Sequence, residues 1–125
     1  MRIVKSTRTK VCVDGSLMKE YLLDEPLNDD FLAFLRHFGN LKILEHLRSP
    51  FFDFDKPYFL SIKGIIGDNL VEVRYKPEAY DLVADYFHLQ LSYFRSGDEG
   101  VENLLQIDAS IKKKIEVRLG EGENG

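Results

Sequence analysis

The chain has 125 residues, 17 Lys and Arg against 21 Asp and Glu for a formal charge of −4, and 44% hydrophobic residues. That composition suits one packed domain and excludes intrinsic disorder, and no apolar run approaches the roughly 20 residues of a membrane-spanning helix. Cys12 is the single cysteine, which rules out an internal disulfide and a cysteine-built zinc or iron–sulfur site within one chain.

The opening segment, MRIVKSTRTK, lacks the apolar core of a secretion signal, so a cytoplasmic location is expected. Residues 2–13 are rich in Ile, Val and Thr and read as a strand. Asp14-Gly15 then suits a two-residue hairpin turn, and a second strand follows from Ser16 to Leu23. A turn that tight pairs Val13 with Ser16, Val11 with Met18 and Lys10 with Lys19, the last setting like charges opposite each other.

Asp24-Glu25-Pro26 breaks the strand. Asn28 is a helix N-cap with Asp29 and Asp30 in the first turn and Leu27 placed to staple onto Leu32. The helix runs to Phe38 and stops at Gly39-Asn40, with Phe31, Leu32, Phe34, Leu35 and Phe38 on one side. Leu41–Leu47 is read as a strand, and Phe51–Asp55 as an extended piece in which Phe52 and Phe54 alternate with Asp53 and Asp55.

The clearest β signal lies at 58–76, where YFLSIKGI and LVEVRYK flank the connection Ile66-Gly67-Asp68-Asn69. Its register sets Leu60 opposite Tyr75, Ile62 opposite Val73, Gly64 opposite Val71, and Lys63 opposite Glu72 on the other face. Gly64 on the inner face leaves room for a helix to approach closely. Pro77 opens a second helix that extends to about Arg95. After the loop at 96–100, VENLLQIDA reads as a short helix and 111–119 as a last strand, because Ile111, Ile115, Val117 and Leu119 share one parity. Residues 120–125 read as a disordered tail.

These elements predict a single α+β domain over 1–119. It is a mostly antiparallel sheet of about five to six strands, made of two hairpins and a terminal strand, with two main helices packed on one face.

The second helix is more apolar than one sheet face requires. Its apolar arc spans about 220 degrees at 100 degrees per residue, where little more than 100 suffices. That surplus has two readings: the helix is central, flanked by the first helix and the 101–109 segment, or a flank with Leu82, Tyr86, Leu89, Gln90 and Tyr93 lies at an interface with a second copy of the chain, or with another protein. The first functional expectation is therefore a small noncatalytic binding or accessory protein that forms a homodimer, with no cofactor and no membrane.

An alternative rests on the basic ends. Residues 1–10 carry Arg2, Lys5, Arg8 and Lys10 without an acid. If the terminal strands join one sheet, Arg8, Lys10, Lys112, Lys114 and Arg118 share its outer face and attract phosphates or nucleic acid. Nucleic acid is the weaker of these, because neither terminal segment has an aromatic for base stacking and the pI is near 5.4.

A third reading makes Asp53 and Asp55, projecting to one side of a strand, the ligands of a metal-dependent enzyme. Gly15-Ser16 superficially resembles a nucleotidyltransferase opening, but it lies far upstream of those aspartates and in a hairpin turn. No glycine-rich phosphate loop is present. Cys12 reads as an inert buried thiol, Asp85-His88-Ser92 as a solvated helix stripe, and His37, His46 and His88 lack metal-ligand spacing.

Overall fold

The computed structural model describes residues 1–45, 48–76 and 79–124. His46, Pro77 and Gly125 lie outside them, so neither the Pro77 helix start nor His46 as a ligand is placed.

Among the described residues, six strands form one antiparallel sheet, and three helices accompany them. In chain order these are β1 (Ile3–Val11), β2 (Leu17–Leu23), α1 (Asp29–Leu35), β3 (Asn40–Leu44), β4 (Phe51–Lys56), β5 (Leu60–Ile65), β6 (Leu70–Tyr75), α2 (Tyr80–Tyr93) and α3 (Gly97–Asn124). Across the sheet the order is β1-β2-β6-β5-β4-β3.

The β5–β6 register is the expected one, with Leu60 opposite Tyr75, Ile62 opposite Val73, Lys63 opposite Glu72 and Gly64 opposite Val71. The first hairpin is shifted by one residue. Lys10 pairs with Met18 and Val11 with Leu17, because the loop has three residues rather than two. The Gly15 N–H donates to the Cys12 carbonyl and Gly15 adopts φ +88°, a turn closed by a left-handed glycine. The shift sets Lys19 opposite Thr9 and removes the expected clash with Lys10.

Alternation divides the sheet into two faces. Tyr21, Leu23, Phe52, Phe54, Leu60, Ile62, Val71, Val73 and Tyr75 point inward and are buried with the helices. Asn28 caps α1 by accepting the Phe31 N–H at 2.9 Å, and Phe31, Leu32, Phe34 and Leu35 are buried as the 3.6 spacing predicts. α2 lies centrally: Phe87 stacks on Tyr21 of the sheet, while Phe94 at its end meets Phe31 and Phe34 of α1.

The segment 111–119 is not a strand but the later part of α3. The helix also extends through Asn124, over residues expected to form a loose tail. Ile111 and Ile115 are both buried and lie one turn apart, whereas Val117, of the same parity, is exposed. A four-residue spacing satisfies both periods, and no Gly or Pro between Val101 and Arg118 interrupts the helix that precedes it.

Candidate functional site

The outer face of the sheet carries three rows of side chains that follow from the strand registers. The apolar row comprises Leu22, Leu70, Ile65, Phe51 and Leu44. None of these belongs to the buried core or packs against it. The middle row is charged: Arg8, Glu20, Glu72, Lys63, Asp53 and Lys42. The third row runs Lys10, Met18, Arg74, Ser61, Asp55 and Asn40. Met18 is buried although it faces away from the helices, flanked by Lys10 and Arg74, whose aliphatic stems suit such cover.

The third row borders a cleft of about 680 Å³, bounded by the first hairpin turn (Asp14, Ser16), the β4–β5 turn (Asp55, Pro57, Tyr58) and the end of β6 (Arg74, Lys76). Its volume falls in the range of small-molecule sites, roughly 300–1,000 Å³.

Tyr58 is the cleft's unusual residue. It is 58% exposed and holds φ +71°, the left-handed region that a bulky side chain adopts at a cost of about 1–3 kcal/mol. The Lys76 ammonium stands over its ring at 5.5 Å. Arg74 and Lys76 are both exposed, and among the described residues neither has a carboxylate within ion-pair distance.

The cleft's other polar groups are weak acid–base candidates. Asp14 accepts from the Ser16 hydroxyl at 2.6 Å and from the Ser16 N–H at 3.0 Å, which holds its carboxyl below the ordinary range. A carboxylate of lowered pKa is a poor general base. Tyr75 bonds the Tyr21 hydroxyl at 3.0 Å, and burial pushes its phenol upward. Lys56 also borders the cleft, but its ammonium is engaged by Asp108 of α3 at 2.6 Å and donates to the Phe38 carbonyl at 2.7 Å.

The expected anion-binding set is not brought together. Arg8 and Lys10 do lie on the outer face. Lys112, Lys114 and Arg118 belong to α3 in the helical layer, and Arg118 forms a two-pronged pair with Asp81 at 2.7 and 3.0 Å. The strand assignment for 111–119 is what had joined the two groups.

Of the α2 residues expected at an interface, Tyr86 and Gln90 are both 0% exposed within one chain. Leu82, Leu89 and Tyr93 are partly buried against the core. α3 supplies the extra layer: Leu104, Ile111 and Ile115 bury their side chains on that side, and Asp108 comes close enough to raise the Tyr86 phenol further beyond what burial does. The Gln90 amide donates to the Tyr86 hydroxyl at 3.4 Å, and its buried carbonyl oxygen has no hydrogen-bond partner among the described residues.

Asp53 and Asp55 do project to one side of β4. Asp53 stands between Lys63 and Lys42, and Asp55 between Ser61 and Asn40. Among the described residues no group of three or more His, Cys, Asp or Glu could hold a metal ion. Asp85, His88 and Ser92 form an exposed stripe of α2, and Cys12 is a half-buried free thiol beside the first turn.

Sequence reasoning missed Arg74, Lys76 and Tyr58. The signal for Arg74 was present, because the correct β5–β6 register already placed it opposite Ser61 on the outer face. Nothing local marks Tyr58 as left-handed.

Comparison with protein-family models, with curated proteins and with solved structures gives no match to this chain.

Proposed function

We propose that this chain is a noncatalytic binding domain that takes a small anion-bearing ligand in the cleft at one end of its helix-free sheet face. The observation that carries this reading is the pair Arg74 and Lys76, exposed at the cleft wall without an ion-pair partner among the described residues. A guanidinium offers two parallel donors to a phosphate or carboxylate, and an ammonium adds a point charge beside it. Lys10, in the same row as Arg74, adds to the positive potential. The noncatalytic part rests on the chemistry of the lining, where the hydroxyl nearest a carboxylate, Ser16 on Asp14, meets a base of lowered pKa.

Titration calorimetry with inorganic pyrophosphate as the probe tests the reading. Binding with a dissociation constant on the order of 1 mM or tighter is expected. It should weaken steeply between 50 and 200 mM salt and disappear in Arg74→Met, whose side chain still covers Met18. Absence of binding at low salt overturns the proposal.

Self-association, expected from α2, finds its support elsewhere, in the apolar row Leu22, Leu70, Ile65, Phe51 and Leu44. A twofold axis along this row lays it on its own copy and carries the charged rows to opposite sides. The row is five residues over about 20 Å, far short of the 20–30 residues a side of a standard interface, so a weak dimer is the expectation. Sedimentation velocity at high concentration should show it, and Ile65→Glu should abolish it. A strictly monomeric mass for both chains would remove this second reading.

A further inference from the structure

Resting on the cleft reading above, we infer that the ligand is a nucleoside phosphate, its ring stacked on Tyr58 and its phosphate held by Arg74 and Lys76. The cleft, at about 680 Å³, is far larger than a phosphate ion needs and suits a drug-sized molecule. Tyr58 is the exposed aromatic on its wall. The Lys76 ammonium lies over that ring, so an anion drawn to Lys76 arrives beside an aromatic face. A phosphate with an aromatic ring a few ångströms away is the chemistry of a nucleotide unit.

The remaining polar groups fit the middle of such a molecule. Asp55 lies two strands from Arg74 with Ser61 between them, an interval of roughly 10 Å at the backbone. Its carboxylate has no hydrogen bond or ion pair to a described residue and accepts sugar hydroxyls or ring N–H donors. The left-handed backbone at Tyr58 belongs to the turn between β4 and β5, closed by the Phe59 N–H donating to the Lys56 carbonyl at 3.0 Å, and it leaves the residue 58% exposed.

The same unit is offered by a free nucleotide and by a nucleic-acid strand. Calorimetry with adenosine 5′-monophosphate, ribose 5-phosphate, adenosine and a six-nucleotide RNA separates the cases. The monophosphate should bind about tenfold tighter than ribose 5-phosphate, the size expected for one base on one aromatic ring. Tyr58→Gly should erase that difference while leaving ribose 5-phosphate binding unchanged. Because glycine is at ease at this φ, the variant removes the ring with a stability change of no more than about 1 kcal/mol, which thermal melting checks. An RNA that binds still tighter, with the same Tyr58 dependence, identifies the strand as the source.

If both phosphates bind equally, or if Tyr58→Gly keeps the preference, the nucleoside inference falls and the anion reading stands. If neither phosphate binds while pyrophosphate does, only the nucleoside inference falls; if pyrophosphate fails as well, both fall.

Discussion

Gly64 shows how little room the fold leaves at one position. A Cβ there would stand 2.6 Å from Leu27 Cδ1 and 3.1 Å from the Phe52 ring. The neighbour is thus Leu27, in the segment before α1, rather than a helix. Leu27 is fully buried and its backbone is tied to the β5–β6 turn through Asp68 and Gly67, so it has little freedom to retreat. Gly64→Ala is expected to destabilise the protein by about 1–3 kcal/mol, the range for overpacking a filled core. Urea unfolding should show a lower midpoint with an unchanged slope. Tyr58 presents the opposite case. Replacing it with glycine relieves the left-handed strain but adds backbone freedom to the unfolded chain. A net change within about 1 kcal/mol of the parent is expected, in either direction, with no loss of cooperativity. A larger loss would mean that the ring is structural rather than a ligand platform.

At the scale of elements, the central question is what holds α3 to the rest. Its Asp108 meets Lys56 at the end of β4, with the two side chains only 13% and 11% exposed. The Lys56 ammonium also lies over the Phe59 and Tyr86 rings, at 4.7 and 5.6 Å. A nearly buried pair of this kind is costly to break on one side, because the surviving charge is left in an apolar setting. Asp108→Ala should therefore cost about 3 kcal/mol, and Lys56→Met with Asp108→Leu should recover most of it. A double-mutant cycle by chemical denaturation measures the coupling.

The same helix marks where the sequence was readable and where it was not. α1 with its Asn28 cap and the β5–β6 hairpin were legible because local rules decide them: a side-chain oxygen meets an N–H three residues on, and opposite charges meet across a ladder. The apolar surplus of α2 was also legible, as was its cover by the 101–109 segment as one of two readings, but not the continuation of that cover through Ile111 and Ile115. That depended on reading Ile111 and Ile115 as one helical face rather than alternate strand positions. The sequence spacing permits both, and only burial against α2 chooses. For the cleft, Asp55 and its outward direction were readable, whereas the meeting of Asp55, Arg74 and Tyr58 depends on strand order across the whole sheet.

For the molecule as a whole, surface carboxylates tie chain segments that are distant in sequence. Asp24 accepts from the Arg2 N–H at 2.8 Å, Glu25 pairs with Arg95, and Asp81 pairs with Arg118. Each carboxyl is held below its ordinary value, by the backbone N–H of Arg2 for Asp24 and by the partner guanidinium for Glu25 and Asp81, the last drawn down to about 2. A lowered folded-state pKa means that the native chain binds fewer protons than the unfolded one in acid, so stability falls as pH falls. The contribution is complete above the unfolded values, near pH 4 to 5, and drains away toward pH 2. Asp24 and Asp81 are exposed and Glu25 is half-buried at the surface, so each effect is small and screened by salt. Thermal melting should show a plateau from neutral pH to about pH 5 and a decline below it, shallower in 0.5 M salt. The three ties predict where loosening begins. Arg2 leads into edge strand β1 and Arg118 lies in the last turns of α3, so hydrogen exchange at pH 3 should rise first in those two segments. The β5–β6 hairpin, paired on both sides within the sheet, should stay protected. Uniform loss of protection across the chain would show instead that the domain unfolds as one unit in acid, with these pairs contributing nothing local.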